Sequence, residues 1–243
     1  MKLYYPQQAN GMYILNRNSI EEIATNVLKE QFPMNLEYPT SLRTEILLDN
    51  LGLMVKRKYL GIPGHEILGA TIMGDSEELV GCDMMMNPIV FEENYGTVLI
   101  NTELCTDKNA PRRRYTETHE AAHWLLHRPY FDRLPQNGQS RHIACRSIEN
   151  YKRAKKTGID WLEWQADSLA AALLMPHGVF YEFARSAIRD AGATRNYLVE
   201  GQTYDRKVFY GAIGFISKRF SVSHRAAQIR MIHLGLIKTS SAY

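Results

Sequence analysis

The sequence predicts an α+β fold in which a small twisted sheet of about three to four strands is followed by helices. Three observations predict it. Short apolar runs separated by turn residues crowd the stretch from residue 53 to residue 100. Apolar residues at helical spacing dominate from residue 113 onward, and no internal repeat or low-complexity tract interrupts them. The 243 residues, 45% hydrophobic and 23% charged, suffice for one large domain or two small ones with a sizeable core.

Residues 19 to 30 place Ile20, Ile23, Ala24, Val27 and Leu28 on one helical face behind Ser19, the expected cap. A second helix is expected over about 40 to 51, starting after Pro39 and ending near Gly52. The strands are Leu53-Met54-Val55, the run from Ile67 to Ile72, Pro88-Ile89-Val90-Phe91 and Thr97-Val98-Leu99-Ile100. Pro111 precedes a helix over about 113 to 127, and about 129 to 157 reads as a polar, basic connection. Asp160 caps a helix running to about 175, where Pro176 ends the pattern. Further helices are expected at about 177 to 191, 203 to 220 and 223 to 234, the last two separated by Phe220-Ser221-Val222-Ser223. The chain thus divides into an N-terminal helical segment (1–39), a central domain (40–192) with a basic insert at about 129–157, and a C-terminal helical region (193–243).

A net charge of +3 and a pI near 8.7 fall short of the basic stripe that nucleic-acid binding as a main task requires. Three cysteines, Cys82, Cys105 and Cys145, are widely spaced and form no C-x-x-C pair, which points to a reducing compartment. The N-terminus lacks the apolar core of a signal peptide, and no apolar run reaches the length of about 18 residues that a membrane span needs. The expectation is a cytoplasmic protein without a membrane partner.

Chemistry concentrates in His119-Glu120-Ala121-Ala122-His123. On a helix, two histidines four residues apart project from one face about 6 Å apart along the axis, so two imidazoles can grip one ion. Zinc accepts neutral histidine nitrogen, and a catalytic site takes three protein ligands and leaves the fourth position for water. In a chain with 8 His, an H-E-x-x-H arises by chance with a probability of order a few per cent, and two ordinary helix histidines are the alternative. His127 lies eight residues from His119, roughly 12 Å of rise, so one ion cannot hold both and His127 belongs on the surface or behind the ligands. A better third ligand is Glu163. With Asp167, Ala170, Ala171 and Leu174 it forms one helical stripe whose small middle allows close approach to the histidine helix. Asp167, one turn on, can accept from the non-ligating nitrogen of a metal-bound histidine. The competing reading makes Glu163 a solvated acid near a helix start.

The order Arg112-Arg113-Arg114-Tyr115-Thr116, His119-Glu120-Ala121-Ala122-His123, Glu163-Trp164-Gln165-Ala166-Asp167, then Leu173-Leu174-Met175-Pro176, resembles the ImmA/IrrE family of metallopeptidases. Phe220 to Ala227, Arg230 and Leu234-Gly235-Leu236-Ile237 resemble that family's helical end, so the likeness covers about 40 to 237. Tyr115 and Leu169 stand where the family often has Phe, and Ala122 where it commonly has Gly. The resemblance implies a gluzincin: a zincin-like peptidase domain with His119, His123 and Glu163 on zinc. It also implies a protein substrate, often a helix-turn-helix repressor of a mobile element or a stress response. The same ligand set accepts Mn2+ or Fe2+.

The expected mechanism makes Glu120 the general base that takes a proton from a zinc-bound water and delivers it to the leaving amine. His142, Arg146, His177 and Tyr181 are candidate donors to the oxyanion. The strand from Thr97 to Ile100 is a candidate edge for an extended substrate, or simply a buried strand. Two other classes compete. One is a DNA-binding regulator with a C-terminal helix-turn-helix, where Lys218, Arg219, Arg225 and Arg230 would lie near phosphates, although the charge is sparse. The other is a structural zinc protein or protein-interaction module without turnover, against which the intact Glu120 argues.

Overall fold

A computed structural model of the chain describes residues 3–62, 64–135, 140–146, 158–200 and 206–238. The described elements run α1 (Arg17–Gln31), α2 (Met34–Glu37), α3 (Thr44–Asn50), β1 (Met54–Ile62), β2 (His65–Ile72), β3 (Glu77–Cys82), β4 (Pro88–Glu93) and β5 (Thr97–Asn101). They continue with α4 (Ala110–Asp132), β6 (His142–Arg146), α5 (Gly158–Leu174), α6 (His177–Asp190), β7 (Leu198–Val199), α7 (Arg206–Phe220), α8 (His224–His233) and β8 (Ile237–Lys238). The fold is α+β. Two compact units emerge, one of residues 1–20 and 43–170, the other of residues 21–42 and 171–243.

In the first unit the sheet has six strands in the order β4-β3-β1-β5-β2-β6, against the expected three to four. The additions are β3 and β6. β3 reads Glu-Glu-Leu-Val-Gly-Cys, with too few apolar residues for a run, and β6 lies inside the segment expected to be a connection. Both gain strand geometry from pairing: β3 with β1 and β4, β6 with β2, all antiparallel. β1 and β5 are parallel, so the sheet is mixed. β1 and β2 pair with each other only near their connection, at Gly61–Glu66 and Ile62–His65. Beyond that point β5 enters between them. Asn101 at the end of β5 donates from Nδ2 to the carbonyls of Leu60 and Ile67, satisfying both strands where they part. Leu60, Ala70, Ile72, Leu79 and Leu99 form the core of the sheet, and β5 is buried throughout, a central strand rather than an edge for substrate.

α4 is buried at every position from Thr116 to His127, so it runs through the interior with no solvated face. It packs against β2, β5 and β6, and against α3, where the Thr44 hydroxyl donates to Glu117 at 2.6 Å. The expected end near residue 127 is passed. Pro129 removes one helical hydrogen bond, but the helix continues a further turn and buries Phe131. α1 is capped by Asn16, not Ser19: the Asn16 side chain accepts from the Ser19 amide at 2.9 Å. The rest of the segment from 129 to 157, apart from the end of α4 and β6, lies partly outside the described residues.

In the second unit α6 packs on α7 and α7 on α8, and the short parallel pair β7–β8 follows. Ser221 carries a positive φ of 53° at the turn between α7 and α8, and Ser223 caps α8 by accepting from the Ala226 amide. Arg230, expected near phosphates, is 4% exposed and forms an ion pair with Glu21, while its Nε donates to the Met175 carbonyl at 3.0 Å. It is therefore closed to nucleic acid. No helix among the described residues is long and apolar enough to cross a membrane.

Candidate metal centre

The helical spacing of four brings the His119 and His123 rings to 4.6 Å between centroids, with their Nε2 atoms 2.9 Å apart. α5 places Glu163 opposite them: Oε2 lies 3.2 Å from His119 Nε2, and Oε1 lies 3.6 Å from His123 Nε2. These three residues can hold a metal ion, with their ligand atoms within 4.8 Å of one another. His119 and His123 are fully buried, while Glu163 keeps 22% of its side-chain surface.

The donor chemistry fits a cation. His119 Nδ1 is 3.0 Å from Asp167 Oδ1, and an ionised carboxylate only accepts, so the hydrogen of His119 sits on Nδ1 and a lone pair faces Glu163. The Tyr115 hydroxyl also approaches Asp167, at 3.3 Å from Oδ1. Asp167 thus lies against the side of the His119 ring away from Glu163. Two imidazole nitrogens and a carboxylate converge here.

Glu120 is wholly buried beside the ligands. Its Oε2 accepts from the Thr71 hydroxyl on β2 at 2.6 Å, and Oε1 is buried with no hydrogen-bond partner among the described residues. Burial pushes its carboxyl up to about 8, with the charge of Glu163 adding to the rise and His119 and Thr71 opposing it. Gly69 faces it. A Cβ at 69 would stand 2.7 Å from Thr116 Cγ2 and 2.8 Å from Glu120 Oε1, so the sheet can approach α4 only because this position is glycine.

His127, excluded as a ligand by its rise along the helix, is buried behind His123, with the two Nδ1 atoms 2.8 Å apart. Its Nε2 lies 3.1 Å from Gln165 Oε1, and Gln165 Nε2 donates to the Tyr13 carbonyl at 2.7 Å. Burial drives the basicity of His127 down to about 3 and that of His123 well below its usual range. The roles of Gln165, Thr71, Gly69 and Tyr13 escape sequence reasoning. Of these only Gly69 leaves a trace, a lone glycine inside a strand pattern, which signals close approach.

Of the candidate oxyanion donors, His142 is engaged through Nδ1 with Glu77 at 3.1 Å. His177 and Tyr181 lie on α6 in the second unit with their rings 6.2 Å apart. The Arg146 side chain falls outside the described residues. No protein-family model matches the chain, and no curated protein matches it significantly.

Proposed function

We propose that the chain is a zinc-dependent endopeptidase in which His119, His123 and Glu163 hold the ion and Glu120 is the general base. The observation that carries this reading is the buried Glu120 carboxylate, one oxygen fixed by Thr71 and the other without a partner among the described residues, in the same helical turn as two converging imidazoles. A structural site has no need of a base and closes its fourth position with protein, whereas three protein donors leave one position for water. When bound, the ion supplies Lewis-acid polarisation of a water and of the scissile carbonyl. Glu120 would accept a proton from the attacking water and pass it to the departing amine, a task suited to a carboxyl whose proton affinity burial raises well above the usual carboxylate range. Thr71 holds one oxygen, so the carboxylate keeps a single orientation through the transfer.

Zinc is the metal of choice for two imidazoles and a carboxylate, with Mn2+ and Fe2+ as competitors for the same donors. The resemblance to the ImmA/IrrE gluzincins supports a protein substrate, and a helix-turn-helix repressor encoded beside the gene is the substrate we propose, in the cytoplasm. A DNA-binding role for the C-terminal helices is the lesser reading, since burial of Arg230 removes one of its four basic contacts. The decisive experiment incubates the zinc-loaded protein with that repressor and maps the products by mass spectrometry. Glu120→Gln should bind zinc as the parent does yet lose at least about a hundredfold in turnover; undiminished cleavage by this variant would remove Glu120 from the mechanism.

A further inference from the structure

We infer that His127 and Gln165 are positioning residues that fix the proton of His123 on Nδ1, with the main-chain carbonyl of Tyr13 as the anchor of the relay. The inference deepens the metal-site reading and rests on it. It follows from which atoms can donate.

A carbonyl oxygen only accepts, so the Gln165 atom 2.7 Å from the Tyr13 carbonyl is the amide nitrogen. The amide oxygen is thereby turned to His127 Nε2 at 3.1 Å, and since it too only accepts, His127 Nε2 carries a hydrogen. His127 is fully buried, its ring touches two neutral polar groups, His123 and Gln165, and among the described residues no carboxylate pairs with it. Being neutral, it has a lone pair on Nδ1. That lone pair lies 2.8 Å from His123 Nδ1, which must then donate. His123 Nε2 is left with its lone pair towards His119 Nε2 and Glu163. Running the chain in the opposite sense sets the amide oxygen against the Tyr13 carbonyl, or a ring lone pair against the amide oxygen. Either arrangement leaves two buried acceptors face to face at a place where no cation can join them. The acceptors that the first arrangement turns towards one another, His119 Nε2, His123 Nε2 and Glu163, are the three that can share an ion.

The two imidazoles are thus held by different means. His119 donates to Asp167, an anion with 53% of its side-chain surface exposed. His123 is held by a neutral, buried series ending on a backbone atom 152 residues from Gln165. The Tyr13 carbonyl cannot titrate or rotate independently of the main chain. Its place is set by the segment that folds back through Gln7 and Tyr13 and lies against the end of α4, where Arg133 donates to Gln7 and to the Gln8 carbonyl.

The test uses the full chain with 15N-labelled histidine, first metal-free and then titrated with zinc alone. In the metal-free protein, His123 should carry its proton on Nδ1 with Nε2 bare, and His127 should carry its proton on Nε2. The opposite pattern at either ring overturns the relay. His127→Phe keeps a ring but offers no acceptor; it should give His123 a mixture of tautomers and weaken zinc binding by about 10- to 100-fold in competition with a chromophoric chelator. His127→Gln presents an acceptor in front and a donor behind, and should restore the Nδ1 proton and most of the affinity. Parental affinity in His127→Phe, or an equal loss in both variants, overturns the assignment, since a purely space-filling role would favour the phenyl ring. Gln165→Met probes the far end with the same expected loss. Should the variants not fold, the tautomers of the unsubstituted protein decide alone. Zinc binding without proteolysis would sink the peptidase reading while leaving the relay spectrum intact, so the two failures are distinct.

Discussion

Glu120 meets two residues of β2 that a helix motif cannot announce. Thr71 holds one carboxylate oxygen and Gly69 makes room for the other. Gly69→Ala would force its new methyl to 2.8 Å from Glu120 Oε1 and 2.7 Å from Thr116 Cγ2, so either the carboxylate turns or the strand lifts from α4. We expect an overpacking cost of about 1 to 3 kcal/mol in chemical denaturation. Turnover should fall by more than that loss of folded protein explains, because a displaced base misses its proton. Native-like turnover per folded molecule in Gly69→Ala would show that Glu120 is not held by this contact. The residue types of the site were legible at this scale, since His119, Glu120, His123, Glu163 and Asp167 stand at intervals that only a helix turns into one cluster. The neighbours supplied by the sheet were not.

At the level of elements, α4 and α5 carry the site, and their existence follows from local sequence: good helix formers, Pro111 at the start of one and Pro176 after the other. Their surroundings do not. β3 and β6 have only two or three consecutive apolar residues and become strands because neighbours offer unpaired backbone, so a window of sequence undervalues them. The second unit depends on a similar long-range contact. Arg230 on α8 pairs with Glu21 on α1 and reaches the carbonyl that ends the α5 region, at Met175. Arg230→Met should cost about 2 to 3 kcal/mol in unfolding free energy, less than a fully buried pair because Glu21 keeps 25% of its side-chain surface. The same change should leave zinc affinity untouched, since every ligand belongs to the first unit. A stability loss below about 0.5 kcal/mol, the size usual for exposed pairs, would mean that this contact does not anchor α8.

For the molecule as a whole, a file of neutral histidines in the interior links folding to pH. Burial holds His127 at about 3 and His123 well below the usual 6.5, so at these two rings the folded chain binds fewer protons than the unfolded one. Their contribution to stability is complete above about pH 6.5 and is lost progressively as pH falls from there towards about 3, because the unfolded chain takes up the protons first. Glu120, raised to about 8, works in the opposite sense between about pH 4.5 and about pH 8 and offsets about one of the two rings. The urea midpoint of the metal-free protein should therefore drop from about pH 6.5 to about pH 5, and His127→Gln should flatten the decline. A midpoint independent of pH over that interval would contradict the burial of neutral imidazoles.

The sequence by itself determined the α+β class, the two site helices and the pairing of His119 with His123 on one face, because these depend on spacings of a few residues and on helical geometry that is the same everywhere. Only the tertiary structure decided that the sheet has six strands, that His127 lies inside, that Thr71 and Gly69 lie against Glu120, and that Gln165 and Tyr13 stand behind His127. The reason is physical. Which way a polar group points, and whether water reaches it, depends on partners from remote parts of the chain, and Gln165 meets Tyr13 across 152 residues of intervening sequence. No local period encodes such a meeting, on which the proposed relay to His123 depends.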